Sequence, residues 1–437
     1  MAEKCFAEHG PIGALSFDDV QSVVKRNHYL TIRVHRVEQA FIYDAIRSPR
    51  CRAKADGGLH DLSPFQLLEP LYKQLEIRNG LDPALVGEVV LGCVTQYGEQ
   101  AGNIAKTSTL YAGWPAAVSG LTVTRFCSSG LDAVNVAALK VIAGQEQAAV
   151  AGGIEMMSRV PMMSDNAAIF ADPEVALSAR ILMMGSGADL IATLYNASRE
   201  DVDAVALESQ QRAASARSRD RFKSIVPIAN KVREVVVSED ECIRPQTTMD
   251  SLAALPASFA DIGRRGADAV QLAAYPELGQ ILHVHTAGNS PAMADASALV
   301  LVGAETLQQK IDAAPRAVIR AMVNACDEPL QVLSGCVAAT RKLLTSQSLS
   351  VDDVDLFEIH EAFAATMIKL RHELNIPTEK LNVNGGVIAM GHPLGATGAI
   401  MLGTLLDELE LRDQRLGVVA TSGAAGSGTA MLIERIT

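Results

Sequence analysis

Hydrophobic and polar positions along the chain follow two rhythms. Short, nearly unbroken apolar runs at 40–46, 88–92, 116–123, 148–153 and 418–421 predict buried strands. Between them, apolar residues spaced three and four apart predict helices over 64–79, 103–111 and 131–143, and another runs from the glycine turn near 391–395 to about 410. Strands that alternate with helices in this way indicate layered α/β sheets.

One local unit occurs twice. Residues 122–126 form a strand that leads through Cys127-Ser128-Ser129-Gly130 into a helix of small residues and then the strand at 148–153. About 260 residues later, Val383-Asn384-Gly385-Gly386 leads through Gly391-His392-Pro393-Leu394-Gly395 into a second such helix and the strand at 418–421. The expectation is a duplicated α/β half, with strand, tight turn, helix and strand in each copy. Residues 156–282 break the rhythm and read as an inserted domain. Met156, Met157, Met162, Met163, Met183 and Met184 crowd its start, a charged helix is predicted over 200–221, and 244–248 is loop-like. Methionine clusters are usually adaptable core filler; a flexible surface facing a substrate is the alternative.

Composition narrows the function classes. Only 4% of residues are aromatic against 49% hydrophobic, so small side chains must pack closely to build the core. A formal charge of −12 disfavours a nucleic-acid or membrane-surface role but leaves room for an anion in a locally basic pocket. No run reaches the roughly 18 apolar residues of a membrane span. The 7 cysteines are scattered without metal-ligand spacing, which fits reduced thiols in a cytoplasmic protein and no metal site. Residues 1–38 lack a signal peptide's apolar core, and Glu3, Glu8, Asp18 and Asp19 argue against a transit peptide. They form an extension, helical or disordered, with no assigned task.

Three motifs carry candidate chemistry. Cys127 stands where a strand gives way to a helix, a place where backbone N–H groups lower a thiol's pKa and can hold an oxyanion. His360, in Glu358-Ile359-His360-Glu361-Ala362-Phe363, lacks the second histidine that a zinc protease helix needs at position 364. His392 sits among glycines that let backbone approach something closely, and its imidazole can serve as general base to Cys127. The run 421–430 is rich in Gly, Ala and Ser after a strand, but it has no P-loop lysine.

Together these motifs resemble the thiolase family of acyl-CoA C-acyltransferases over about residues 38–437. The resemblance rests on Tyr43-Asp44-Ala45-Ile46-Arg47-Ser48-Pro49, Arg125-Phe126-Cys127-Ser128-Ser129-Gly130 and Gly152-Gly153-Ile154-Glu155-Met156-Met157-Ser158. It continues in Thr286-Ala287-Gly288-Asn289-Ser290, His360-Glu361-Ala362-Phe363 and Gly391-His392-Pro393-Leu394-Gly395. Histidine at 360, where most thiolases carry asparagine, is similar to the branch with β subunits of the fatty-acid oxidation trifunctional complex.

The resemblance implies a duplicated five-layer α-β-α-β-α fold with an inserted loop domain. It divides the chain into an N-terminal half (39–155 and 283–312), the insertion (156–282) and a C-terminal half (313–437). It casts Cys127 as the acyl-accepting nucleophile and His392 as its base. His360 would join His392 in holding a water or the thioester oxygen of acetyl-CoA, while the N–H groups of Cys127 and Ala424 would form the second oxyanion hole. Glu361 would support the site by hydrogen bonding. Arg244, Ser251, Ala287 and Ser290 match CoA-binding positions, and Met184 and Phe363 match positions beside the pantetheine and acyl groups. Coenzyme A is then a co-substrate, with no permanently bound cofactor. A homodimer or homotetramer and a hydratase/dehydrogenase partner subunit are also implied.

Three departures from the family pattern matter. Ser422 stands where the family carries a second catalytic cysteine, and a hydroxyl is a far weaker acid than a thiol, so carbon–carbon chemistry is expected to be slowed or redirected. Pro291 replaces a frequent hydroxyl residue near CoA, and Asp295-Ala296-Ser297-Ala298 replaces Asp-Gly-Ala-Ala. The leading reading is a thiolase acting on 3-oxoacyl-CoA or acetyl-CoA, by thiolytic cleavage or the reverse Claisen condensation, through an acyl-Cys127 intermediate. The alternatives are a CoA thioesterase or acyl carrier without carbon–carbon chemistry, and a non-catalytic CoA-binding subunit.

Overall fold

The computed structural model describes residues 38–436. The extension expected over 1–38 therefore lies outside the described residues except for its last one. Strands β1 (Phe41–Arg47), β2 (Cys51–Arg52), β3 (Glu88–Gly92), β4 (Ser119–Val123) and β5 (Ala148–Met156) come first. The hairpin β6 (Ile228–Asn230) and β7 (Val235–Val237) follows, then β8 (Ala294–Gly303) and β9 (Ala317–Cys326). The chain ends with β10 (Leu356–Ile359), β11 (Leu416–Ser422) and β12 (Ser427–Arg435).

Strand order carries the duplication. One half runs β3-β5-β8-β1 and the other β10-β11-β12-β9, each with one parallel pair followed by antiparallel pairs. The halves join where β1 pairs antiparallel with β9, Phe41 opposite Val318 and Ile42 opposite Ala317. The N-terminal half adds β4 beyond β3. Its counterpart in the other half is only a bridge from Leu381 to Phe357. The expected strand at 383–386 is therefore not formed. Gly385, at φ +76°, turns the chain into the short helix Val387–Met390 instead.

The three largest apolar cores among the described residues pack the five layers together, the central one enclosing the middle helices. Alternate residues of the strands point to opposite faces. Ala149 and Ala151 of β5 and Val300 and Val302 of β8 join a central core, whereas Val150 and Leu301 join an outer one beneath the helix Pro64–Asn79. In the C-terminal half Val419 and Met431 face the centre and Val418 and Leu432 face outward. The helices Ser129–Ile142 and Thr397–Leu411 fill the middle layer and pack on each other. Their approach demands glycine: a Cβ on Gly130 would lie 2.5 Å from the Gly395 carbonyl oxygen, and one on Gly398 would lie 2.5 Å from the Leu131 nitrogen. Small residues here are thus a packing requirement, as the low aromatic content suggested.

Between β5 and β8 the chain contributes no strand to the large sheet. It forms helices, among them Met184–Leu194 and Arg199–Ser218, and the β6–β7 hairpin. No described helix is long and apolar enough to cross a membrane.

Candidate active site

The nucleophile candidate sits on a strained turn. Phe126 takes a left-handed conformation, φ +48°, a costly state for an aromatic residue. Ser129 stabilises it, since its hydroxyl bonds the Phe126 carbonyl and accepts the Arg125 N–H at 2.8 Å. Ser128 directly precedes the helix Ser129–Ile142 and donates its hydroxyl to the Thr421 carbonyl at 3.2 Å, tying this turn to β11 of the other half.

Cys127 itself is half-buried and unpaired. Burial first, and then the Glu155 carboxylate, push its thiol up to about 12, although its own N–H pulls the other way. The lowered pKa expected from a helix start is therefore not found, because desolvation outweighs the aligned N–H groups in this apolar setting. At neutral pH the resting group is a thiol.

The C-terminal half brings both imidazoles. His360 follows β10, and its Nδ1 accepts the Ser422 N–H at 3.3 Å. An acceptor at Nδ1 leaves the proton on Nε2 in the neutral ring. That Nε2 is buried with no hydrogen-bond partner. Burial lowers the His360 pKa to about 4. His392 has its Nδ1 2.7 Å from the Thr397 hydroxyl, and its ring centroid lies 4.6 Å from that of His360. Burial, His360 and the Arg50 guanidinium hold its pKa well below the usual histidine range. Both rings are neutral at pH 7.

These groups open on one cavity of about 350 Å³, lined by Cys127, His360, His392, Ala424, Met184 and Phe363 together with mostly apolar residues. Ala424 lies in a tight turn where Ala425 and Gly426 have positive φ and Gly423 donates to the Ser427 carbonyl at 2.7 Å. Met162, Met163 and Met184 line the cavity, whereas Met156 and Met157 are buried core. The methionine cluster thus divides between the two roles weighed for it.

Ser422 is placed differently. Its hydroxyl accepts the Cys336 N–H at 2.8 Å, its side chain is fully buried, and it is not among the cavity-lining residues. Arg244 and Ser251 line a separate open cleft of about 340 Å³ with Gly288. Ala287 and Ser290 line neither space; Ala287 directly precedes Gly288 of the cleft, and Ser290 directly precedes Pro291 of the cavity. Glu361 accepts the Ser209 hydroxyl at 2.8 Å and the Ile388 N–H at 3.1 Å behind the site. Sequence reasoning missed Thr397, Arg50 and the contacts of Glu155, for nothing in their spacing marks them.

Residues 40–306 match the family pattern described as thiolase, N-terminal domain, and 313–435 match that described as thiolase, C-terminal domain. The chain belongs to the thiolase family. It is 36% identical over 423 residues to a 3-oxoadipyl-CoA/3-oxo-5,6-dehydrosuberyl-CoA thiolase of Escherichia coli, covering 92% of this chain and 100% of that protein. A 3-ketoacyl-CoA thiolase of Shewanella denitrificans is 36% identical over 411 residues, with the same coverage. The crystal structure of the Bacillus anthracis acetyl-CoA acetyltransferase superposes with a TM-score of 0.78 at 32% identity, covering 92% of this chain and 99% of that one. This thiolase is accordingly an acyl-CoA C-acyltransferase.

Proposed function

We propose that this thiolase cleaves 3-oxoacyl-CoA with CoA through an acyl-Cys127 intermediate and runs the reverse condensation by the same steps. The observation that supports it is the convergence of Cys127, His360 and His392, from opposite halves, on one apolar cavity. As the Cys127 sulfur attacks the C3 carbonyl, its proton passes to His392. Neutral imidazole is ready to accept it, and coupling proton transfer to attack avoids a free thiolate in a site that disfavours one. The C3 oxyanion is held by the Cys127 and Ala424 N–H groups.

The C2–C3 bond then breaks, and its electron pair passes into the enolate of acetyl-CoA. The His360 Nε2–H holds the enolate oxygen, and the His392 imidazolium returns the proton to C2. In the second half, a CoA thiol gives its proton to His392 and attacks the acyl group. The Cys127 sulfur leaves and regains that proton. His392 alone thus balances the proton inventory, which matters because Ser422 has its hydroxyl turned to Cys336. That same orientation favours the second reading, a thioesterase that acylates Cys127 without carbon–carbon cleavage.

The acyl group is proposed to be apolar. Met162, Met163, Ile169 and Phe170 line its end of the cavity, and Asp165 is the only acidic or basic side chain in the lining besides the neutral histidines. A terminal carboxylate there would lose water and meet no cation. Arg244 and Ser251 are proposed to take the CoA nucleotide and the 286–291 segment its pantetheine arm, with no permanently bound cofactor. The division into halves with an insertion at 156–282, a homodimer or homotetramer, a hydratase/dehydrogenase partner and a cytoplasmic location complete the reading.

Acetoacetyl-CoA with CoA tests it, by loss of the 3-oxoacyl absorbance and an acyl adduct on Cys127 seen by mass spectrometry. Turnover with the adduct supports thiolysis; adduct and CoA release without cleavage indicate the thioesterase, and neither signal indicates a binding subunit. 3-Oxohexanoyl-CoA should exceed 3-oxoadipyl-CoA in kcat/KM by about 10²-fold. Equal values would refute the apolar assignment.

A further inference from the structure

Glu155, at the end of β5, is fully buried, and no Lys, Arg or His pairs with it among the described ion pairs. Both of its oxygens are nevertheless saturated. Oε2 accepts the Val94 N–H at 2.9 Å and the Gly395 N–H at 3.0 Å; Oε1 accepts the Thr95 N–H at 3.1 Å and Gln100 Nε2 at 2.9 Å. Three separate segments donate to one carboxylate. Val94 and Thr95 line the cavity from the N-terminal half, and Gly395 belongs to the turn that carries His392 from the other.

We propose that Glu155 is a positioning residue that locks the Cys127 side of the site to the His392 turn. This inference rests on the thiolase reading of Cys127 and His392. Four N–H donors require an acceptor-only group with about four lone-pair sites, which an ionised carboxylate supplies and an amide does not. Gln100 is itself fixed, since its Oε1 accepts the Met156 N–H at 2.6 Å. The turn is pressed against β5 as well: a Cβ on Gly153 would lie 2.1 Å from the Gly395 carbonyl oxygen, and one on Gly395 would lie 2.9 Å from Glu155 Oε2. Two residues beyond Gly395, the Thr397 hydroxyl meets His392 Nδ1, so holding Gly395 sets where the imidazole stands. The cost is electrostatic. Burial does most to raise the Cys127 pKa, and the Glu155 charge adds to it; burial raises the pKa of Glu155 as well, while its four N–H donors favour the charged form.

Two variants of the full chain separate charge from bridging. Glu155→Gln removes the charge and sets an NH₂ against N–H donors. It should shift the pH profile of Cys127 alkylation by iodoacetamide to lower pH, yet lower kcat for acetoacetyl-CoA thiolysis by about 10²-fold, the typical cost of an ångström of misplacement. Glu155→Asp keeps the charge but falls one methylene short. Its alkylation profile should stay near wild type while kcat falls. Unchanged kcat in a folded Glu155→Gln protein, or a loss of thermal stability alone, overturns the assignment. If that variant does not fold, Gln100→Met, which removes a single donor, decides it: wild-type kcat and alkylation profile there also overturn it. Wild-type protein and Cys127→Ala run in parallel, so an inactive wild type, or an active Cys127→Ala, indicts the thiolase reading and not the role of Glu155.

Discussion

The two halves share a strand order yet meet the cavity with different chemistry. Each places its reactive group just before a helix of the middle layer: Cys127 before Ser129–Ile142, and His392 before Thr397–Leu411. In the N-terminal half a full strand, β4, precedes the turn, and left-handed Phe126 lifts a single thiol into the cavity. In the other half the corresponding strand is reduced to one bridge, and the freed segment supplies a glycine turn and the buried support of Glu361. Duplication sets where two groups can face each other; local divergence sets which is the nucleophile and which the base.

The comparison breaks most completely at the thiol. Cys127→Ala leaves the His392 half intact with nothing to acylate, and turnover of acetoacetyl-CoA should fall by about 10⁴-fold or more, with no adduct by mass spectrometry. The opposite change sharpens it. Ser422→Cys restores the thiol that the family pattern carries at this position of the C-terminal half, and general-acid help of about 10²–10⁴-fold is typical. Cleavage should rise at least about tenfold in the same assay; no rise with normal acylation would confine position 422 to holding His360 through its backbone.

At the seam between the halves, Gly130→Ala drives a Cβ into the Gly395 carbonyl. It should cost about 1–3 kcal/mol in urea unfolding, the usual range for overpacking.

Smaller effects appear with pH. An unfolded histidine takes a proton near 6.5, whereas buried His360 resists until about 4. Stability is therefore fully present above about 6.5 and declines as pH falls toward 4. His360→Asn should make that acid limb shallower in urea midpoints at pH 7 and 4.5.

Away from the cavity His283 behaves in the opposite sense. Burial pushes its pKa down, but hydrogen bonds to Asp189 at 2.9 Å and Asp268 at 3.1 Å prevail and leave it raised. Its contribution is present below about 6.5 and lost as pH rises through the raised value. His283→Gln should lose more stability at pH 6 than at pH 8.5, by the least of these margins.

Much of the architecture was legible because strand and helix periodicity depend on neighbours along the chain. The helix at 64–79 and the strand at 88–92 match the observed elements, and the repeated turn-and-helix unit anticipated the paired middle helices. The strand at 383–386 failed because glycines at 385 and 386 favour a turn over extended pairing. Cys127 and His392 stood out through their glycine-rich surroundings, and the structure brings them to one cavity.

By itself the chain's order of residues determined which elements form, that two similar halves exist, and which side chains have the chemistry to react. Tertiary structure alone decided their condition: a thiol pushed up to about 12, imidazoles held neutral, a serine hydroxyl turned to Cys336, and a lone carboxylate gathering four N–H donors. Protonation and hydrogen-bond partnership depend on dielectric and on atoms distant in sequence, and those are set only when the two halves close on each other.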